Sequence, residues 1–154
     1  MDVSIRWLIR RDMPEVLAIE QASFSCSQWT EEDFLSELRQ RNVIGLVAER
    51  AGEIVGFMIY ELHKSRLQLL SLAVRPDCRR QLVGTQMVLR LIDKLSQQRR
   101  TTIALLICER CLPGQMFFKS RDFVASRIVP NCCGDGDHDG YLMNFNIFRE
   151  GTPE

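Results

Sequence analysis

LLSLAVRPDCRRQLVGTQMVLRLIDKL, residues 69–95, is the stretch that decides the fold. Residues 69–74 are apolar and β-rich, which predicts a buried strand. Pro76 ends this strand because proline cannot donate the next ladder hydrogen bond. After a basic turn, apolar residues recur at helical spacing and predict an amphipathic helix: Val83, Met87, Val88, Leu91, Ile92 and Leu95.

The turn between this strand and this helix has the chemistry of an anion site. A helix that opens directly after a strand directs its free backbone N–H groups and the positive end of its dipole at one point. Arg79 and Arg80 add positive charge and fork-shaped donors beside that point. The sequence therefore predicts a turn that suits a phosphate group.

Length and composition restrict the class of protein. The 154 residues predict one domain, which we expect over 1–150 with a short tail at 151–154. Lys plus Arg and Asp plus Glu number 20 each, so net charge does not argue for a nucleic-acid partner. No apolar run approaches the ~20 residues of a membrane helix. The first residues also lack the apolar core of a signal peptide, so we expect a cytoplasmic protein.

Six cysteines need an explanation, and without an export signal we expect free thiols. Zinc held by Cys108, Cys111 and the adjacent pair Cys132 and Cys133 is the alternative. Adjacent cysteines are poor ligands for one metal, and a second C-x-x-C is absent. We therefore predict no metal site, and a disulfide is favoured still less. The other two cysteines are Cys26 and Cys78.

The remaining patterns predict the order β-α-α-β-β-β-α-β-α-β-β. The strands cover 4–9, 43–49, 54–60, 66–74, 101–108, 122–129 and 141–148, and the helices 12–23, 30–38, 83–95 and 113–120. Asp12 is the predicted cap of the first helix, and Thr30 with Asp33 predicts a capping box on the second. The helical crossover makes 66–74 and 101–108 parallel neighbours. The fold class is α/β (α+β), a mostly antiparallel mixed sheet of about seven strands with about four helices.

These features resemble the GNAT superfamily of N-acetyltransferases along nearly the whole chain. Its pyrophosphate loop usually reads Arg/Gln-x-x-Gly-x-Gly/Ala, and Arg79 and Gly84 match the first and last positions, with Leu82 at the usual middle glycine. Four segments are similar to the ribosomal-protein-alanine N-acetyltransferase type. They are Phe24 to Trp29, Val47-Ala48-Glu49 with Val55-Gly56, Leu72-Ala73-Val74-x-Pro76, and Asn131-Cys132-Cys133.

The resemblance implies acetyl-CoA as cosubstrate and a sheet splayed at its central parallel strands. The free edge of the strand would pair with the pantetheine arm, with the Val74 N–H donating to the thioester carbonyl. The implied acetyl-CoA-binding residues are Leu72, Ala73, Val74, Arg79, Arg80, Gln81, Leu82, Val83, Gly84, Thr85, Cys111 and Phe118. The plainer alternative is a core strand followed by a solvated basic turn. Loop, strand and element order together favour the cosubstrate site.

The usual proton-transfer groups of such enzymes are missing. The resemblance places a Glu at Leu106, on the strand after the central helix, and a Tyr at Phe118. Replacement bases are Glu109, Glu61 and His63, of which Glu109 follows the strand end nearest the expected cleft. An ordinary exposed loop carboxylate is the stronger interpretation of Glu109. We name Glu109 as the catalytic candidate with this alternative open.

The first functional interpretation is an acetyl-CoA-dependent N-acetyltransferase acting on a primary amine, such as a protein N-terminal α-amine or a small amine. Direct attack is feasible because the thiol leaves with a pKa near ~8.5 and an α-amine has a pKa near ~8. Loss of acid–base help costs about 10²–10⁴-fold in rate. The alternative is a GNAT-fold module that binds CoA or a protein partner and has lost catalysis.

The expected acceptor groove lies between the loops 24–29 and 131–140. Asp135, Asp137 and Asp139 in the second loop can attract a cationic amine, although a solvated hairpin tip explains them equally well. We expect acetyl-CoA and the amine acceptor as partners, with neither nucleic acid nor membrane, and a monomer or homodimer.

Overall fold

One seven-stranded sheet forms the centre of the protein, with the strand order β1-β2-β3-β4-β5-β7-β6. The computed structural model describes residues 3–23, 29–132 and 138–148. The strands are β1 Ser4–Trp7, β2 Val43–Arg50, β3 Glu53–Leu62, β4 Arg66–Val74, β5 Thr102–Cys108, β6 Val124–Val129 and β7 Gly140–Asn146. The helices are α1 Met13–Ser23, α2 Glu31–Leu38, α3 Val83–Gln97 and α4 Leu112–Ser120. The predicted element order is confirmed, and the ends of the elements differ by a few residues at most.

All neighbouring strands are antiparallel except β4 and β5, which are parallel as predicted. The helices divide between the two faces of the sheet. α3 and α4 pack on one face, and the predicted stripe of α3 is buried there by Val83, Met87, Val88, Leu91 and Leu95. α1 and α2 pack on the other face, and among the strands and residues that the structure describes, their core reaches only β2, β3 and β4. The second face of β5, β7 and β6 therefore lies outside that core.

Local sequence signals account for two of the connections. The β2–β3 hairpin turns through Ala51 and Gly52, whose φ angles of 53° and 81° are both left-handed, as in a type I′ turn. The predicted capping box of α2 is confirmed. The Asp33 N–H donates to Thr30 Oγ1 at 3.1 Å, and the Thr30 N–H donates to Asp33 Oδ2 at 2.8 Å.

Asp12 has a different role from the predicted one. It ends a 3₁₀ turn that precedes α1, and its Oδ2 accepts the Ile9 N–H at 2.9 Å. The Arg6 guanidinium donates to both carboxylate oxygens at 2.8 and 2.9 Å, and also reaches Glu49 at 3.4 Å. These bonds hold the pKa of Asp12 below its ordinary value of 3.8. The Asp12 carboxylate thus ties β1 to the start of α1 through its ion pair with Arg6.

The cysteines do not follow the expectation of free thiols throughout. Cys108 is disulfide-bonded, so that expectation is wrong at this position. Cys78 and Cys111 are free thiols, and Cys78 is buried. Within 3–23, 29–132 and 138–148, no group of three or more His, Cys, Asp or Glu side chains is placed to hold a metal ion.

None of the described helices combines the length and the apolar character needed to cross a membrane. The segments 24–28 and 133–137 lie outside the described residues. They contain most of the first predicted acceptor loop, and Cys26, Cys133, Asp135 and Asp137.

Candidate active site

β4 and β5 are paired over only the first half of β4. Their parallel ladder ends with the pair Leu69 and Leu105. Beyond it, β4 stays paired with β3 as far as Val74, and β5 stays paired with β7 as far as Cys108. The two strands therefore separate, and the predicted splay at the central parallel strands is confirmed. We call the opening beyond Leu69 and Leu105 the gap.

A β-bulge marks the point at which the gap begins. Tyr60 of β3 faces Leu69, whereas the preceding Ile59 faces Ser71, so Leu70 is an extra residue in β4. A bulge bends its strand and increases the local twist. The bend turns the second half of β4 away from β5.

Beyond the bulge, one edge of β4 carries backbone groups that no described strand pairs. The Arg75 N–H donates to the Val55 carbonyl at 2.8 Å, toward β3. Because an antiparallel strand alternates the direction of its backbone groups, Ala73 also faces β3. Val74 and Leu72 consequently direct their N–H and C=O groups into the gap. An extended ligand with amide groups can pair there like an added strand.

The turn before α3 exposes a nest of backbone amides. Arg80 and Leu82 have φ angles of 65° and 66°, both left-handed. Leu82 is the N-cap residue of α3 and makes no side-chain capping bond. The first N–H groups of α3 therefore have no capping side chain, and left-handed residues in such a turn form concavities that suit anions. The backbone at Leu82 is the conformation that favours glycine, which explains the usual glycine of the loop.

The side chain of Leu82 does not bury itself in this turn, since 63% of it is exposed. Arg79 is exposed and also makes two hydrogen bonds to protein groups. Its Nε donates to the Val74 carbonyl at 3.2 Å and its Nη2 donates to Ser23 Oγ at 3.0 Å. Arg79 thus ties the end of β4 to the end of α1, and Arg80 is exposed as well. Contact of either arginine with a diphosphate stays a prediction.

Gly84 lets α3 approach α4 beside the gap. A Cβ atom at Gly84 would lie 3.2 Å from Phe117 Cζ and 3.6 Å from Val74 Cγ2. Phe117 is therefore the aromatic residue that borders this region. Phe118 is only 7% exposed. Its ring packs with Phe117 at 5.1 Å and with Phe123 at 5.2 Å between centroids. Sequence reasoning missed Phe117, and the predicted cosubstrate contact of Phe118 stays a prediction.

The end of β5 holds two further predicted residues. Cys111 is the N-cap residue of α4, and its N–H donates to the Cys108 carbonyl at 3.0 Å. The carboxylate of Glu109 accepts the Asp139 N–H, and the Glu109 N–H donates to the Asp139 carbonyl at 2.9 Å. Glu109 therefore fastens the start of β7 to the end of β5. The other replacement bases, Glu61 and His63, pair with each other at 3.0 Å where β3 meets the start of β4, away from the gap.

Leu106 is the first β5 residue beyond the last pair with β4, and 45% of its surface is exposed. Its neighbour Leu105 packs into the α3 core, so Leu106 projects from the opposite face of the sheet. Leu106 faces Leu142 of β7, which faces Arg127 of β6. We call these three residues the Leu106 row. It contains no carboxylate.

Glu20 is a residue at the site that sequence reasoning missed. It lies on α1, is 1% exposed, and accepts the Trp29 N–H at 2.9 Å and the Ser71 hydroxyl at 3.5 Å. Burial raises the pKa of the Glu20 carboxyl, and the two hydrogen bonds oppose this rise. Through these two hydrogen bonds, Glu20 connects α1 with Trp29 and with β4 just past its bulge. An acidic residue on the apolar stripe formed with Val16 and Ile19 was the available sequence signal.

The family to which the chain belongs follows from its sequence profile. The profile described as the acetyltransferase (GNAT) family matches residues 4–118. The chain belongs to the GNAT family. Acetyl-CoA is the cosubstrate and an amine the acceptor of such acetyltransferases, so the expected enzyme class is confirmed for this GNAT protein. The gap and the amide nest lie within the matched residues.

Two relatives of this GNAT protein match over most of its length. One is a putative ribosomal protein bS18-alanine N-acetyltransferase of Bacillus subtilis, 23% identical over 141 residues, 91% of this chain and 93% of that protein. The other is the ribosomal protein bS18-alanine N-acetyltransferase of Escherichia coli K12, 26% identical over 138 residues, 88% of this chain and 92% of that protein.

Two solved structures confirm the GNAT fold. The crystal structure of the ribosomal-protein-S18-alanine N-acetyltransferase from Escherichia coli superposes with a TM-score of 0.83 at 24% identity, covering 99% of each chain. A GNAT family acetyltransferase from Elizabethkingia anophelis, solved with acetyl-CoA bound, superposes with a TM-score of 0.76 at 13% identity. That match covers 94% of this chain and 98% of the other.

Proposed function

We propose that this GNAT protein acetylates the N-terminal α-amine of a protein. The first acceptor to test is a ribosomal protein that begins with alanine, because two relatives carry that activity in their names. The observation that carries the proposal is the opening of the sheet after Leu69 and Leu105, with the edge of β4 unpaired beyond it. This opening can hold a thioester on one side and admit an amine from the other.

The cosubstrate lies along β4 in this proposal. The N–H and C=O groups of Leu72 pair with the pantetheine arm, the Val74 N–H is left for the thioester carbonyl, and Ala73 keeps the strand fastened to β3. The diphosphate lies on the amide nest before α3. The proposed contact residues are Leu72, Ala73, Val74, Arg79, Arg80, Gln81, Leu82, Val83, Gly84, Thr85, Cys111, Phe118 and, in addition, Phe117.

The chemistry is a direct transfer. The amine nitrogen attacks the thioester carbonyl carbon, and the C–N bond forms as the carbonyl oxygen becomes an oxyanion. The Val74 N–H stabilises that oxyanion because it is a fixed donor in the gap. The intermediate collapses with loss of CoA thiolate, whose pKa near ~8.5 makes an acid dispensable. The nitrogen gives up its proton, and N-acetyl peptide and CoA are the products.

Glu109 remains the candidate carboxylate for accepting this proton. Its bond to the Asp139 N–H holds it at the end of β5, so a water molecule would have to connect it with the amine. A monomer or a homodimer stays the predicted oligomeric state. Because ribosomal proteins are the proposed acceptors, we place the protein in the cytoplasm.

The test is a thiol-release assay with acetyl-CoA and a short peptide that begins with alanine, with the product mass measured in parallel. The control is the same peptide with a formylated N-terminus. We expect one acetyl group on the free peptide and none on the control. Tight binding of acetyl-CoA in calorimetry without turnover of any amine would instead favour a binding module.

A further inference from the structure

We propose that Glu20 is a positioning residue for the amine acceptor: its buried carboxyl group holds Trp29, the last residue of the predicted acceptor loop 24–29, against β4 at the gap. The inference rests on the proposed function and deepens it by naming a residue that sets the KM for the acceptor without touching acetyl-CoA. It follows from the two hydrogen bonds of Glu20 and from the face of the sheet on which they lie.

The Glu20 carboxyl group is buried on the apolar stripe of α1, beside the buried Val16 and Ile19. A polar group that loses its water at such a position is tolerated when hydrogen bonds replace that water. Glu20 Oε2 accepts the Trp29 N–H at 2.9 Å, and Glu20 Oε1 accepts the Ser71 hydroxyl at 3.5 Å. Each oxygen therefore joins a different part of the chain to α1.

Trp29 is held by its main chain and by its ring. The main-chain N–H donates to Glu20, and the ring packs edge-on against Phe34 of α2, with 5.0 Å between the centroids. The next residue, Thr30, is the N-cap of α2. Without the carboxyl group, the Trp29 N–H would lose this acceptor while the ring contact and the cap stay in place. Glu20 consequently fixes the direction in which the chain enters α2.

Ser71 places this junction at the gap. It follows the extra residue Leu70 in β4 and lies beyond the last β4–β5 pair. Ser71 faces Ile59 of β3, whose side chain belongs to the core of α1 and α2, so Ser71 is on that face of the sheet and is partly exposed there. The Glu20 carboxyl group therefore connects Trp29 with the strand that borders the gap.

The proposed diphosphate site belongs to the opposite face of the sheet. The amide nest precedes α3, and Gly84 lies beside Phe117, on the face where α3 and α4 pack. The α1 face is left for the acceptor. The contact of Arg79 with Ser23 joins α1 to the turn before α3, and it does not involve Glu20. A change at Glu20 should therefore raise the KM for the amine and leave the Kd for acetyl-CoA unchanged.

A positioning role does not require the charge of Glu20. Burial raises the pKa of this carboxyl group, and the neutral form can still accept the Trp29 N–H with one oxygen and donate to Ser71 Oγ with the other. A glutamine can keep the same two bonds through its carbonyl oxygen and its NH₂ group. A base that takes a proton from the amine cannot be replaced by glutamine. The variant Glu20→Gln therefore distinguishes positioning from proton transfer.

The experiment is steady-state kinetics with acetyl-CoA and the peptide that begins with alanine, together with calorimetry of acetyl-CoA binding. Glu20→Met keeps the length of the side chain and removes both carboxyl oxygens, and we expect it to raise the peptide KM by about tenfold, with a smaller change in kcat. Glu20→Gln should restore the wild-type KM and the wild-type pH profile. Glu15→Met, the same change at an exposed position of α1, is the matched control and should alter neither KM nor Kd.

Three results would overturn the inference. One is an unchanged peptide KM in Glu20→Met. Another is weaker acetyl-CoA binding in that variant. The third is an equal loss of kcat in Glu20→Gln and Glu20→Met with loss of the acid limb of the pH profile, which would make Glu20 a base.

Ser71→Ala keeps the test decisive if Glu20→Met does not fold. It removes the second hydrogen bond at a partly exposed strand position, and we expect the peptide KM to rise by about threefold with the Kd for acetyl-CoA unchanged. An unchanged KM in Ser71→Ala would then overturn the inference.

The outcomes also separate this inference from the function on which it rests. Turnover of the peptide by the wild type, with the same KM in every variant, would leave the proposed function intact and overturn the role of Glu20. Absence of turnover by the wild type with every amine, with acetyl-CoA bound, would overturn the proposed function and this inference with it.

Discussion

Leu69 pairs with Leu105, and this pair is the last that β4 and β5 share. One residue later, the bulge at Leu70 shifts β4 against β3. The bulge and the end of the parallel ladder therefore coincide. The second half of β4 keeps one paired edge for stability and one open edge for a ligand.

The direction of the backbone groups in β4 gives the first prediction. Val74→Pro removes an N–H that faces the gap, and we expect acetyl-CoA binding to weaken by about three- to tenfold while the fold persists. Ala73→Pro, one residue earlier, removes an N–H that faces β3 and should lower the melting temperature strongly. Calorimetry and thermal unfolding measure the two effects. The reverse pattern would mean that the Ala73 N–H faces the gap and the Val74 N–H faces β3.

The second prediction concerns the left-handed backbone at Leu82. Leu82→Gly removes the Cβ that opposes φ of 66°, and we expect stabilisation by about 1 kcal/mol. Leu89→Gly is a matched control, since Leu89 is an exposed leucine inside α3, where glycine should destabilise by about 1 kcal/mol. Urea unfolding measures both. Destabilisation by both substitutions would contradict the strain at Leu82.

The third prediction is a pH dependence of stability. Arg6 lowers the pKa of Asp12 from the ordinary 3.8, so the folded state holds this proton more weakly than the unfolded state. The contribution of Asp12 is therefore present in full above about pH 4 and is lost as the pH falls through its lowered folded pKa. Unfolding free energies of the wild type and Asp12→Asn should differ most at neutral pH and converge below pH 3. Asp93→Asn, an exposed change on α3, is the control and should show a small difference at every pH.

The fourth prediction concerns the hydroxyl of Tyr60. This side chain is fully buried on β3, and among the described residues its oxygen has no hydrogen-bond partner. Burial also raises the pKa of the Tyr60 phenol, because the charged form would be desolvated. Tyr60→Phe should therefore stabilise the protein by about 1 kcal/mol. Tyr141→Phe, at a partly exposed position, should be nearly neutral, and destabilisation by Tyr60→Phe would reveal a partner for the hydroxyl.

Prediction from the sequence succeeded where short-range rules suffice. The order of strands and helices, the stripe of α3 and the capping box at Thr30 and Asp33 follow from neighbours in the chain. Asp12 was assigned to the wrong role because its partner, Arg6, reaches it across a turn rather than along a helix. Cys108 was expected to be a free thiol because the pairing of cysteines depends on distances that the chain order does not reveal.

The candidate site shows the same difference between what short-range rules predict and what contacts between separate elements decide. Counting along the family motif leads to Phe118, but one helical step of about 100° separates the buried Phe118 from Phe117, which borders Gly84. Glu20 was overlooked because its partners, Trp29 and Ser71, both lie outside the helix α1 on which Glu20 stands. Periodicity identifies the stripe of a helix and leaves open which of two adjacent side chains faces a ligand.

The sequence by itself determined the strand, basic turn and amphipathic helix at 69–95 and the order of the other elements, because periodicity, proline and capping act over a few residues. Only the tertiary structure decided where the sheet opens. That point depends on the register of β4 against β3, which sets Leu70 as the extra residue, and on the pairing of β5 with β7, which arrives from the far end of the chain.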